Sequence, residues 1–100
     1  MKQRYALGDR HFQNINLSGA NLAGIYLTKA NFIGANLSYT NLQNAQLNQV
    51  NLIAANLQGA DLSGANLHKA KLIGANLTDA NLTNADLTDA EMTESNPETA

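Results

Sequence analysis

The side chains of this sequence that could do chemistry are few and scattered. His11 and His68, more than half the chain apart, are the groups suited to ligating a metal or moving a proton near neutral pH. Asp79, Asp86, Asp89 and Glu91 crowd together in the linear sequence, as an acid and its conjugate base would in a hydrolytic site. Gly19, Gly24, Gly34, Gly59, Gly64 and Gly74 raise the question of a phosphate-binding loop, but no GxxxxGK[ST] pattern occurs. Tyr26 and Tyr39 are the aromatic candidates for stacking on bases. Whether any of these groups meet depends on the path of the chain.

That path is written in a five-residue period. From Phe12, every fifth residue to Met92 is large and apolar: Phe12 and Phe32, Met92, and Leu at every step between. Two residues earlier stands Ala in most units, with Ile15, Ile25 and Val50 as apolar substitutes and Arg10 and Thr40 as polar ones. Asn or Asp usually lies between the two. A step of five smears the leucines around an α-helix, and on a straight strand it flips the side chain every time. The leucines share one interior only if the chain turns a corner once per unit. Ala and Leu, two apart on a short extended side, then point inward and the other three positions face out.

A second period sets the number of sides. Ile33-Gly34-Ala35-Asn36-Leu37 returns, nearly unchanged, at Ile53–Leu57 and Ile73–Leu77, twenty residues apart each time. Four units per turn stack these segments, and place Asn16, Asn36, Asn56 and Asn76 in an outward ladder whose amides are expected to bond along the stack. The glycines named above fall at corners. On this path His11 and His68 take different sides, as do Tyr26 and Tyr39. Asp79, Asp86 and Glu91 take three sides, with Asp89 sharing that of Asp86. No wall gathers an acid and a base around a pocket, so the expectation is a protein without catalytic residues, metal or cofactor.

The tandem units, such as Ala20-Asn21-Leu22-Ala23-Gly24 and Ala60-Asp61-Leu62-Ser63-Gly64, resemble the pentapeptide-repeat family over about residues 10–94. The resemblance implies an all-β fold, a right-handed quadrilateral β-helix of about four turns. It also implies a short N-terminal helical cap. The division expected is a cap at 1–9, the coil at 10–94 and a tail at 95–100. Lys2 to Leu7 has helical propensity with Gly8 as its stop, and Tyr5 and Leu7 are expected to fold over the first turn. At the other end Ser95 and Pro97 replace the next Ala and Leu, so the last turn (Leu77, Leu82, Leu87, Met92) has no evident lid.

Composition narrows the class of function. The chain has no cysteine and no apolar run of signal or membrane length, so a soluble cytoplasmic protein, bacterial by its resemblance, is the expectation. A net charge of −2 argues against nucleic acid as a partner. Lys2, Arg4, Arg10 and Lys29 against Asp9 leave residues 1–50 at +3, while residues 51–100 stand at −5. Like charges at the C-end oppose a two-fold dimer there, so a monomer is favoured at low salt, with any weak C-end dimer strengthening as salt rises.

One outward column departs from the rest. Ile33, Ile53 and Ile73 stand where the other sides carry Ser, Thr, Gln, Asn, Ala or His. Two readings stay open: branched residues rigidifying an extended segment, or an apolar stripe that docks a partner, with Asn51 and Lys71 beside it. The function expected is a non-enzymatic binding or scaffolding module using flat walls for protein–protein interaction. The alternative is a DNA-mimicking inhibitor or protector of a type II topoisomerase, implied by some members of the family the repeats resemble.

Overall fold

The computed structural model describes residues 1–96. Its plan follows from how one five-residue unit satisfies its own backbone. In the unit Asn51-Leu52-Ile53-Ala54-Ala55, the Asn51 amide donates to the Ala30 carbonyl of the coil before at 2.9 Å. The Leu52 and Ala54 amides donate to the Lys71 and Ile73 carbonyls of the coil after at 2.7 and 2.9 Å. Ala55 closes the corner by donating to the Leu52 carbonyl at 3.0 Å. The remaining amide, that of Ile53, donates to the Asn51 Oδ1 at 3.1 Å. All five donors are met, which a buried or edge-lying backbone requires.

The same accounting explains the Asn/Asp position. Its side-chain oxygen accepts from the amide two residues on at Asn16, Asn36, Asn56 and Asn76, and equally at Asp61 and Asp86. This is the local Asx turn that short acceptor side chains form. The amide ladder expected at Asn16, Asn36, Asn56 and Asn76 is therefore turned inward onto its own unit: those oxygens cap backbone.

Parallel bridges link each unit to the one twenty residues on, from His11↔Asn31 to Asn76↔Asn96, so four units make one coil. The ladder thus runs to Asn96. Each bridge involves a single residue per side. The walls are ladders of isolated bridges between turns rather than strands of several residues, because corner and turn occupy the rest of each unit. The corner residue has positive φ in every unit from Asn14 to Glu94. Negative φ at the residue before it and the bond across four residues give the type II pattern. Most corners are not glycine; Lys29, Tyr39, Gln49 and Ala54 are among those held there at φ 57–66°.

The interior is the expected one. Leu27, Leu42, Leu47, Leu52, Leu57, Leu62, Leu67, Leu72 and Leu77 are buried with the alanines between them. Phe12 and Phe32 stack with ring centroids 5.3 Å apart. Thr40, inward in an alanine position, donates its hydroxyl to the Leu37 carbonyl at 2.7 Å, which removes the cost of its burial. Leu82, Leu87 and Met92 in the last coil are only half-buried.

The cap is α1 (Lys2–Ala6). Gly8, at φ 95°, donates to the Tyr5 carbonyl, and Asp9 donates to that of Arg4, both at 2.9 Å. These are the two bonds of a Schellman motif, with Gly8 as the expected stop. One expectation fails here: Leu7 is 82% exposed and does not cover the first turn. Met1 packs on the core with Tyr5 instead. Four residues apart, those two share a helix face, whereas residues two apart such as Tyr5 and Leu7 point to opposite sides. The tail assigned to 95–100 lies outside the described residues from Pro97 onward.

Candidate functional site: the isoleucine wall

Four walls can be distinguished by their bridging residues. Wall one carries His11, Asn31, Asn51, Lys71 and Glu91; wall two Asn16, Asn36, Asn56, Asn76 and Asn96. Wall three carries Asn21, Asn41, Asp61 and Asn81, and wall four Tyr26, Gln46, Asn66 and Asp86. Ile33, Ile53 and Ile73 follow the bridging residues of wall one in three consecutive coils. They form one column, spaced about 4.8 Å by parallel bridging. The corners beside them are Gly34, Ala54 and Gly74, the smallest side chains available.

The column is less open than a row of outward side chains suggests. Ile33 is 36% exposed, and Ile53 and Ile73 are half-buried, because each stacked isoleucine shields the next. Asn51 is committed locally: its oxygen caps the Ile53 amide, as that of Asn31 caps Ile33 at 3.0 Å. Lys71 is exposed and lies between Asn51 and Glu91 on the bridge ladder. The wall therefore offers a narrow apolar stripe with one cation at its side.

The other chemistry-bearing residues do not gather into one site, although His68 lies near enough to Asp86 on wall four to act on its charge. His11 lies on wall one and His68 on wall four. The Asp86 carboxyl is held below the ordinary Asp value by hydrogen bonds from the Thr88 side chain and backbone, with the charge of His68 a lesser cause. Asp61, on wall three, is lowered by a hydrogen bond from Gln43 at 2.5 Å and by the Ser63 hydroxyl and amide. Asp9 in the cap is lowered by the His11 amide and by Arg4. These carboxylates accept bonds from their own turns and neighbours, a structural role. Among the described residues no group of three His, Cys, Asp or Glu could hold a metal. No helix among them is long and apolar enough to cross a membrane.

Two surface features escaped the sequence reading. The Tyr39 ring leans along its corner over Gly59, so that a Cβ at Gly59 would sit 2.5 Å from two ring carbons. A glycine twenty residues after a large corner residue is the signal that could have found it. The second is a cleft of about 290 Å³ between α1 and the first coil, lined by Lys2, Tyr5, Ala23, Gly24, Ile25 and Tyr26.

A four-sided coil of bridged five-residue units, with Leu and Ala inside and a type II corner at each step, defines a repeat solenoid. The family model described as Pentapeptide repeats matches in eight copies, over residues 11–49, 30–68, 45–83 and 60–96. The chain belongs to the pentapeptide-repeat family, whose coils are right-handed β-helices. It is similar to the crystal structure of HetL, a pentapeptide repeat protein involved in heterocyst differentiation regulation, from the cyanobacterium Nostoc sp. strain PCC 7120. The identity is 38% and the TM-score 0.84, over 90% of this chain and 42% of that one. Rfr23 from the cyanobacterium Cyanothece 51142 matches at 41% identity and TM-score 0.73, over 86% of this chain and 63% of that one. The pentapeptide repeat protein alr5209 from Nostoc PCC 7120 matches at 40% identity and TM-score 0.57, over 88% and 69%. The chain spans less than two thirds of the length of HetL and of Rfr23. A comparison with curated proteins gave no match.

Proposed function

We propose that this chain is a non-enzymatic binding module that docks a protein partner on wall one. The observation that carries the reading is the isoleucine column. At the equivalent position wall two has Ser18, Ser38, Gln58 and Thr78, wall three Ala23, Gln43, Ser63 and Thr83, and wall four Thr28, Asn48, His68 and Thr88. One wall of four is apolar there, and its neighbouring corners are small. Lys71 favours a partner that sets a carboxylate beside a flat apolar contact. The chain has no cysteine, so a cytoplasmic setting suits it. A DNA-mimicking protector of a topoisomerase is the weaker reading, since Asp79, Asp86 with Asp89, and Glu91 lie on three different walls and residues 1–50 are net positive.

The test is Ile53→Lys, compared with Ile53→Val in affinity capture and thermal unfolding. Docking predicts that the lysine variant loses the captured protein while its Tm stays within a few degrees of wild type, and that the valine variant keeps both. Unchanged capture by Ile53→Lys would remove wall one as the contact. Unfolding would show that Ile53 contributes to the core.

A further inference from the structure

Wall one carries charge as well as apolar surface, and the two lie on opposite edges. The wall runs from the corner that holds Lys29, Gln49 and Lys69 to the turn that holds Ile33, Ile53 and Ile73. Between these edges lies the bridging row of Asn31, Asn51 and Lys71. Lys29, Lys69 and Lys71 are all the lysines of the coil. They are exposed and, among the described residues, make no ion pair. No acid lies between Asp9 and Asp61 in the chain, and Asp61 and Asp86 take walls three and four. Asp89 and Glu91, one coil on from Lys69 and Lys71, close the cationic row at one end.

The dimensions of this face fit one kind of partner element. From the Lys29 corner to Ile33 is four residues, at most about 14 Å of extended chain. An α-helix with its side chains is about 10–12 Å across, so one helix fills the wall. Along the rod the isoleucines recur every ~4.8 Å, close to the ~5.4 Å of a helical turn. A seam at i, i+4 and i+7 spans about 10.5 Å, against about 9.6 Å from Ile33 to Ile73. An extended peptide sets like-facing side chains about 6.6–6.8 Å apart and leaves the column within two steps. Lys29 and Lys69, two coils apart, match acids at i and i+7 by the same spacing. Past the isoleucine edge a Cβ at Gly74 would meet nothing within 4 Å, so that border is open.

We propose that the element seated on wall one is a single amphipathic α-helix of another protein, lying along the rod. Its apolar seam rests on Ile33, Ile53 and Ile73, and carboxylates along one flank face Lys29, Lys69 and Lys71. The inference rests on wall one being the docking face. Charge fixes the direction of the helix, because reversing it turns the acidic flank toward the uncharged edge of Gly34, Ala54 and Gly74. Asp89 and Glu91 fix its extent, since an acidic flank carried past Lys71 meets like charge.

The test is a titration of the nitrogen-15-labelled full chain, followed by NMR, with capped peptides of about 18 residues, long enough for partial helicity. The first has leucine at i, i+4 and i+7 with glutamates along one flank. At low ionic strength it is expected to shift the amides of Asn31, Asn51, Ile53 and Lys71 and to leave those of Asn41 and Asp61 in place. Lys69→Glu with Lys71→Glu should weaken it about tenfold, a difference that narrows as salt rises. Glu94 and Glu91 already hold a corner and a bridging position, so both substitutions suit the coil. A peptide with lysine for every glutamate, and the acidic peptide with a central proline, are each expected to bind about tenfold more weakly or worse. Equal binding of either control, or binding unaffected by the double reversal, overturns the inference. Absence of wall-one shifts at millimolar peptide overturns it too, including where the chain instead sediments with anionic phosphatidylglycerol vesicles. Should the double variant not fold, Lys29→Glu is read by the same criterion. The two readings fail separately. If Ile53→Lys loses its captured protein while no peptide moves the wall-one amides, the helix fails and the docking face stands. If Ile53→Lys captures as wild type does, the face itself fails and this inference with it.

Discussion

Leu57 lies fully buried in the column between Leu37 and Leu77, with all three at 3% exposure or less. Its amide donates to the Asn76 carbonyl at 2.8 Å, and the flanking Asn56 amide to that of Ala35 at 2.9 Å. The spacing of the coils around it is therefore set by backbone hydrogen bonds. In Leu57→Ala about three carbons leave the interior, a transfer loss of about 2.4 kcal/mol at ~0.8 kcal/mol each. Coils held at fixed spacing cannot collapse into the gap, so a cavity contribution of ~24 cal/mol per Å³ adds to it. The total expected is in the upper half of the usual range, about 3–5 kcal/mol. The same truncation at Leu87, half-buried in the last coil, removes less area from the interior and is expected to cost about 1–2 kcal/mol. Urea unfolding followed by circular dichroism, with m-values compared to confirm a common unfolded state, measures both. Equal losses at Leu57 and Leu87, or a loss below about 0.5 kcal/mol at Leu57, would refute a filled interior whose burial falls off toward the C-end.

Ala54 is exposed and holds a corner at φ 59°, where a Cβ crowds the following carbonyl; Ala54→Gly should raise stability by about 0.5–1 kcal/mol, read as a shift of the urea midpoint. Gly59→Ala faces both φ 66° and the Tyr39 ring, and should cost about 1–2 kcal/mol; in the background of Tyr39→Ala that cost should shrink, and a cycle of the four proteins measures by how much. The Asp61 carboxyl is lowered from 3.8, so its contribution is present above the unfolded value and is lost as pH falls through the folded one. Asp61→Asn should therefore lower Tm somewhat near neutrality and flatten its fall below about pH 4, so that the two proteins converge in acid, measured as Tm against pH.

The interior was legible because one rule repeats: a large apolar residue every fifth position, a small one two before it, and a twenty-residue echo together force a four-sided coil. The isoleucine column was legible for the same reason, since position within the unit assigns a side chain to a wall. Other features were read less well. Glycine marked only some of the corners, because hydrogen bonds between coils and across each turn hold Lys29, Tyr39, Gln49 and Ala54 in the same left-handed region. The sequence suggests an amide ladder at Asn16, Asn36, Asn56 and Asn76, although the free exchange of Asn and Asp at the same position of other walls, as in Asn21, Asn41 and Asp61, favours a local acceptor. A carboxylate caps the amide two residues on as well as a carboxamide does, whereas in a stack of amides it can accept but has no N–H to donate onward.

Periodicity carries the number of sides, the identity of the core and the wall each residue faces, because those depend only on position modulo five and twenty. It carries nothing about the ends or about contacts between neighbouring coils, where the period stops or two different residues meet. Packing decided that Met1 rather than Leu7 covers the first coil, and that the cap answers the first coil's edge with Asp9, Arg4 and Tyr5. It decided too that Tyr39 lies on Gly59 and that the isoleucines half bury one another. Each depends on the helix rotation or the reach of a particular side chain, and these exist only once the chain is folded.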